Sequence, residues 1–189
     1  FGGASAFGDG PAALDASGGA DAAWFEEIHP SERASRAELE RVANLYFVGL
    51  ERNDGRGEYP FADDCIRIEN GFRTTGVPPS PDAGKTPYFE TFRAMTAKQQ
   101  FETGYFRFVD RIRERRFPVI DPARGLVFAF AFFDHSGTVR DYKLSDGTPI
   151  RANVERLFRW AIAEAFRLER GLIPRIEALM TECPYGMPS

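Results

Sequence analysis

Four side chains in this sequence are of the right type to move protons on an organic substrate: Tyr46, Glu69, His135 and Glu164. Removing a proton from carbon or from an alcohol needs a base beside the substrate, and the oxyanion that results needs a donor such as a phenol or a neutral carboxylic acid. Glu69 lies two residues from Arg67, so on a strand the two share a face and the cation favours the ionised, basic carboxylate. Glu164 is in the opposite position. On a strand it shares a face with Trp160, Ile162 and Phe166, where desolvation favours the neutral, donating form. The imidazole of His135 titrates near neutrality and suits either task. Arg111, Arg113 and Arg115 alternate along a candidate strand, and one of them, taken as Arg113, can reach an anionic or phenolic group. Plainer readings stand beside each of these. Tyr46 on an apolar helix face packs, Glu69 and Arg67 form a solvated ion pair, Glu164 on a helix is exposed, His135 is a turn residue, and the arginines line a wet strand face.

The elements that must hold these groups follow from periodicity and punctuation. Ser35-Arg36-Ala37-Glu38 matches a capping box, and Leu39, Val42, Tyr46 and Gly49 recur at helical spacing up to Asn53-Asp54-Gly55. Asp21 opens a shorter helix that His29-Pro30 closes. From Phe61 a strand puts Ile66, Ile68 and Phe72 on one side and Cys65, Arg67 and Glu69 on the other. Gly76 to Lys85, with three prolines, is a loop. Gly104 to Phe117 is rich in strand formers but ambiguous. Phe117 to Ile120, Asp121 to Gly125 and Leu126 to Phe133 read as strand, turn and strand, with Asp134-His135-Ser136-Gly137 ending the hairpin. Asn153 to Leu168 fits a helix by its alanines or a strand by its alternation, and Gly171 followed by Leu172 to Leu179 suits a return strand, which favours the second.

Composition narrows the class of partner. A chain of 189 residues with 43% hydrophobic and 28% charged residues folds as a domain with a full core. Residues 1–20, rich in Gly, Ala and Ser, read as a flexible or partner-wrapping arm, and residues 21–189 as a single domain. A net charge of −4 offers no field for nucleic acid or anionic lipid. The longest apolar run, Gly125 to Phe133, is too short to span a bilayer as a helix. Two cysteines and two histidines support neither a disulfide framework nor a zinc site, and no Rossmann or P-loop fingerprint occurs, so neither metal nor cofactor is expected. A reduced, cytoplasmic setting is expected, although a first residue of Phe1 rather than Met leaves a removed leader open. Aromatic residues reach 14%, and twelve fall between Tyr88 and Phe133, enough to wall a cavity, fill a core or cover a subunit interface.

A helix, then Phe61-Ala62-Asp63-Asp64 opening a strand, then long hairpins to the end: in this order of elements the chain resembles the NTF2-like superfamily, and within it the ketosteroid isomerase and SnoaL-like enzymes. Further short motifs are Cys65 to Gly71, Arg115 to Asp121, Phe132 to His135 and Cys183 to Gly186. The resemblance implies an α+β, cone-shaped barrel with N-terminal helices packed on a strongly curved mixed or antiparallel sheet. It implies a helix tyrosine, a strand base and a second acid, which fall on Tyr46, Glu69 and Glu164, with His135 as an additional acid or base. Arg67, Arg113, Phe61 and Trp160 are the expected substrate-binding residues. Both carboxylates are Glu where the steroid enzymes use Asp. The implied activity is a cofactor-independent lyase acting on a small hydrophobic aromatic molecule, by analogy with lyases of lignin-derived diaryl propanediols. An isomerase or cyclase step, and a non-catalytic ligand-holding or dimerisation module, are the alternatives. A homo-oligomer, dimer or trimer, is expected.

Overall fold

The computed structural model describes residues 12, 15–16, 18–78, 88–152, 154 and 156–188. The arm expected over residues 1–20 and the loop expected over Gly76 to Lys85 lie largely outside them. The first long element is helix α1 (Arg36–Leu50). Ser35 caps it by accepting from the Glu38 backbone N–H at 3.2 Å, one half of the expected capping box, while the Glu38 carboxylate accepts from Arg41. The helix buries Leu39, Val42, Ala43, Tyr46, Phe47 and Leu50 on one stripe, and each large apolar side chain there contributes about 1.5–3 kcal/mol by leaving water.

That stripe lies on a six-stranded sheet. Its strands are β1 (Phe61–Glu69), β2 (Phe72–Arg73), β3 (Arg111–Asp121), β4 (Leu126–His135), β7 (Phe158–Glu169) and β8 (Leu172–Cys183), in the order β2-β1-β8-β7-β4-β3. Strands β5 (Asp141–Lys143) and β6 (Pro149–Arg151) pair separately. Between β2 and β3 run the short helices α2 (Tyr88–Ala94) and α3 (Ala97–Glu102) and a 3-10 turn, Tyr105–Phe108. Strand β1 runs parallel to β8 while the other pairs are antiparallel. The sheet is therefore mixed, and the expected α+β class, helices on a curved sheet, is the one observed. Register shifts in β3 and between β1 and β8 add the local bending that such bulges bring. Pro118 sits in the edge strand β3, and Pro174 sits where the β1–β8 register skips, the places where a missing N–H is tolerated.

Several local readings change. Asp21 caps only a 3-10 turn, Ala22–Trp24, so the helix expected through Ile28 is absent; the segment is instead held to the sheet, with Ile28 N–H donating to the Ala123 carbonyl at 2.8 Å. Phe72 does not continue the strand of Ile66 and Ile68. Asn70 and Gly71 both take positive φ, +48° and +79°, forming the kind of tight hairpin turn that Asn-Gly favours. Gly104 to Asp110 is not strand: the 3-10 turn comes first and β3 starts at Arg111. Strand β4 runs on through Asp134 and His135, so these are ladder residues and not a turn. Residues Phe158–Glu169 are strand, which resolves the helix-or-strand ambiguity.

Candidate functional site

The sheet order brings residues from both ends of the chain into one row. Glu69 on β1 is opposite Ala178 on β8, Ala178 is opposite Glu164 on β7, and Glu164 is opposite Ala129 on β4. The two glutamates are thus two strands apart on the same face, about 10 Å between backbones, and Glu164 has an alanine on either side in the row. In the neighbouring row Arg67, Ile176, Phe166 and Val127 follow the same path. Helix α1 lowers Tyr46 onto this face, its ring 5.2 Å from that of Phe166 and 5.5 Å from that of Phe101.

Three of these polar groups are almost sealed: Tyr46 and Arg67 are 2% exposed and Glu164 is 1%. Burial pushes the Glu164 carboxyl up to about 8, and the charge of Glu69 pushes the same way; a hydrogen bond from Tyr46 and the charge of Arg67 pull it back in part. At neutral pH Glu164 is therefore mainly a neutral acid. The Tyr46 phenol is raised well above its ordinary value by burial first and then by the neighbouring Glu164 carboxyl, so it keeps its proton and faces that carboxyl as a donor. Glu69, with an 18% exposed side chain, reaches solvent and stands 3.6 Å from the Arg67 guanidinium. One carboxyl is neutral and sealed, and the other is paired with a cation and accessible. Such a split assigns acid and base roles to two chemically identical groups.

Arg67 is fixed by neutral partners. Its Nε donates to Thr74 Oγ1 at 3.1 Å and its Nη2 to Gln100 Oε1 at 2.9 Å. Gln100 is itself oriented, since its Nε2 donates to the Thr74 and Phe92 carbonyls at 2.6 and 2.8 Å, leaving only its oxygen for the arginine. The guanidinium also lies over the rings of Phe106 and Phe101, at 5.2 and 5.9 Å. Gln100 and Thr74 escape sequence reasoning. The available signal is Gln100 on the α3 face that also buries Ala97 and Phe101, a polar residue at an apolar helical position.

The structure brings together Tyr46, Glu69, Glu164 and Arg67, with Phe61 behind them. Phe61 is core, its ring 4.8 Å from Phe101 and 6.2 Å from Tyr46. Trp160, half-buried, shares the face of Glu164 two rungs further along β7, and its ring packs edge-on to Phe158. Arg113 and His135 are not at this site. Arg113 pairs across the ladder with Phe132, on the opposite face of the sheet, and its Nε donates to Asp134 at 2.8 Å. Arg115 does turn inward, because the left-handed backbone at Glu114 (φ +54°) breaks the alternation, but it is spent on Glu51 and Asn44 of the helix segment. His135 is on the inner face but six residues along β4 from Ala129, about 20 Å away. There it is stacked between Phe158 and Phe108 at 4.4 and 5.9 Å, and burial pushes it down to about 4. A neutral, sandwiched imidazole far from Glu164 does not share in its chemistry.

Among the described residues no helix is long and apolar enough to cross a membrane, and no group of three or more His, Cys, Asp or Glu has the geometry to hold a metal ion. None of the curated proteins matches the sequence. Solved structures with some likeness include a de novo designed protein with a curved β-sheet, 14% identical over 78% of this chain and 88% of its own, TM-score 0.41. Another is SalBIII, an epoxide hydrolase/cyclase-like enzyme of pyran ring formation in the polyether salinomycin, 10% identical over 78% and 93%, TM-score 0.42. A third is a phenazine biosynthesis-related protein from Pseudomonas aeruginosa, 9% identical over 77% and 76%, TM-score 0.40. At these values they say nothing of the chemistry of this chain. The family model described as a domain of unknown function, DUF8021, matches residues 32–180, from just before α1 to within the last turn-free stretch of β8, and the chain belongs to that family.

Proposed function

We propose that the chain is a cofactor-independent lyase that moves a proton on a small hydrophobic aromatic substrate. The observation that carries this reading is the pair of glutamates on one row of the sheet, one pushed up to about 8 by burial and the other held beside Arg67 and open to solvent. Glu69 is the base. It takes a proton from the carbon beside a substrate carbonyl, the freed electron pair forms a C=C bond as the C=O π pair moves onto the carbonyl oxygen, and neutral Glu164 donates a hydrogen bond to that oxygen as it gains charge. In the elimination that follows, the oxygen pair re-forms the carbonyl, the C=C pair moves to the next carbon and the C–O bond there breaks. The departing oxygen takes the proton from Glu69 and leaves as water, so both glutamates end as they began. Tyr46 acts through Glu164, since its hydroxyl is given to that carboxyl, and is a positioning residue. Delivery of the Glu69 proton to a different carbon, with no oxygen lost, makes the same site an isomerase, and product analysis separates the two.

The test is turnover of an aromatic hydroxyketone that the wild type processes, compared with Glu69→Gln and Glu164→Gln after each is shown to fold. Loss of a catalytic acid or base costs on the order of a hundred- to ten-thousandfold. Near wild-type turnover in both variants refutes the assignment.

A further inference from the structure

Among the described residues Arg107 is half-buried and has no carboxylate within 4.0 Å, whereas every other buried or half-buried arginine there has one. Drawing a charge part-way out of water without a partner costs free energy that an anion from outside would offset. Arg107 lies over the Tyr142 ring, 5.7 Å from its centroid, and lines a hollow of about 420 Å³ with Asp54, Gly55, Arg56, Leu144 and Ser145. The Arg56 guanidinium also has no carboxylate partner among the described residues; Asp54 accepts instead from the Arg56 backbone N–H, at 2.9 Å. Three turns meet at the hollow, and their backbones fix its shape. Gly55 (φ +82°) and Gly104 (φ +73°) pack the turn after α1 against the end of α3, so closely that a Cβ at Gly55 would collide with the Glu102 carbonyl. The turn between β5 and β6 is tied to the same place. Its Ser145 N–H donates to the Thr103 carbonyl at 2.9 Å, and the Tyr142 hydroxyl donates to the Tyr105 carbonyl. Two acids beside these turns are engaged elsewhere, Glu102 with Lys98 at 4.0 Å and Asp146 with the Thr148 N–H at 2.8 Å.

We infer that this hollow is a binding site for the carboxylate of a small hydroxy acid, held by Arg56 and Arg107. Charge selects the class of ligand. Two guanidiniums against the one carboxylate of Asp54 leave the lining a single positive charge in excess, which a monoanion neutralises and a dianion overshoots. A guanidinium also presents paired N–H donors that match the two oxygens of a carboxylate. The rest of the lining selects the body of the acid. Leu144, its one apolar side chain apart from the arginine stems, is itself 5% exposed, so the hollow offers little to an aromatic ring. Asp54 can accept a hydrogen bond from a ligand hydroxyl, and the Ser145 hydroxyl can donate to one or accept from it. The ligand is therefore different in kind from the hydrophobic aromatic substrate proposed above, and its place is different too. Phe106 meets Arg67 at 5.2 Å, while the next residue of the same 3-10 turn, Arg107, lines the hollow. Because the walls are already held by backbone contacts, little ordering opposes binding.

The probe is sodium lactate, titrated into the wild-type chain near pH 6 at constant ionic strength and followed by proton–nitrogen NMR. The Nε–Hε signals of Arg56 and Arg107 and the amide signal of Ser145 are expected to shift together and saturate, with one dissociation constant of about 1 mM. Acetate, which lacks the hydroxyl, is expected to bind about threefold more weakly, and sulfate, a dianion at this pH, about tenfold more weakly. Arg107→Gln is expected to abolish the saturable shift of Ser145, Arg56→Gln to weaken it about tenfold, and Arg107→Lys to restore part of it. Each variant is read after its amide spectrum is shown to match the wild-type fold. Glu69→Gln, altered only on the inner face of the sheet, is expected to bind lactate as the wild type does. Shifts that do not saturate and are the same in sodium chloride mean screening only, and overturn the inference. So do tighter binding of sulfate than of lactate, a Ser145 response unchanged by Arg107→Gln, and a response lost in Glu69→Gln.

Discussion

Glu164 is placed where folding would not put a carboxyl for stability. Its folded pKa, about 8, lies above the ordinary value near 4.3, so the folded state binds the extra proton. Its contribution is fully present below about pH 4 and is lost as pH rises through about 8. Glu164→Gln is accordingly expected to resist urea better than wild type at pH 9, with most of the difference gone at pH 5 and the rest below about pH 4. Equal midpoints at pH 9 would show that the carboxyl is not held neutral. Tyr46 tests the same environment from the side of function. Its hydrogen bond lowers the pKa of Glu164, so Tyr46→Phe should move the alkaline limb of the pH–rate profile upward, whereas a tyrosine that only packs would leave the limb in place. Tyr46 and Glu164 were legible as polar groups on apolar faces that periodicity reveals, and Glu69 through its Arg67 neighbour and its place after the Phe61-Ala62-Asp63-Asp64 opening that the resemblance singles out. Gln100 and Thr74 were not, since what makes them matter is a hydrogen-bond chain to Arg67 that crosses from α3 to β1.

At the scale of elements, alternation was the reliable signal and its interruption the unreadable one. The even-numbered residues of β7 face inward as a strand requires, and Leu172 to Leu179 pairs back on it. The left-handed residue Glu114 inside β3 leaves no mark in the sequence, yet after Arg113, outward in regular register with Phe132, it turns Arg115 inward. Likewise Asp134-His135-Ser136-Gly137 looks like a turn, but the ladder of β4 with β7 continues to His135 opposite Phe158. Placed there, His135 acquires a testable role in the strand and not in the chemistry. Its folded pKa, about 4, is depressed below the unfolded value of 6.5, so its stability is present above pH 6.5 and is lost as pH falls toward 4. The loss is at most about 3 kcal/mol at 1.36 kcal/mol per unit. His135→Phe, a ring that suits the stack between Phe108 and Phe158, should lack this loss. Denaturation of wild type and variant at pH 7 and pH 4.5 measures it as a difference, and identical pH dependence in the two would refute it.

For the whole molecule, which strands become neighbours was the part periodicity left open, because β1 and β8 come from opposite ends of the chain and nothing local announces their pairing. That pairing decides what the outer face of the sheet is left to do. At one end the segment from Asp21 covers it: Trp24 Nε1 donates to Glu177 at 2.9 Å, and Arg167 donates to the Glu26 carbonyl at 2.7 Å. At the other end buried Asp134 gathers Arg111, Arg113 and Arg159, and Arg159 also donates to the Met187 carbonyl of the C-terminal tail. Between these covers one row reads Leu179, Ala163, Phe130 and Arg116 across four strands, with Leu179 60% and Phe130 37% exposed and Val119 close by at 54%. The small Ala163 leaves a trough between two exposed apolar side chains, a shape that a copy of itself can fill about a two-fold axis. Contiguous apolar surface of this kind marks an interaction site. The wild-type chain is therefore expected to be a closed homo-oligomer at micromolar concentration by light scattering. Leu179→Arg puts a charge at one end of the row, at its most exposed apolar side chain, without touching the Glu164 face, and should shift the protein toward monomer while each subunit stays folded. A monomeric wild type contradicts the expectation, as does a Leu179→Arg protein of unchanged mass.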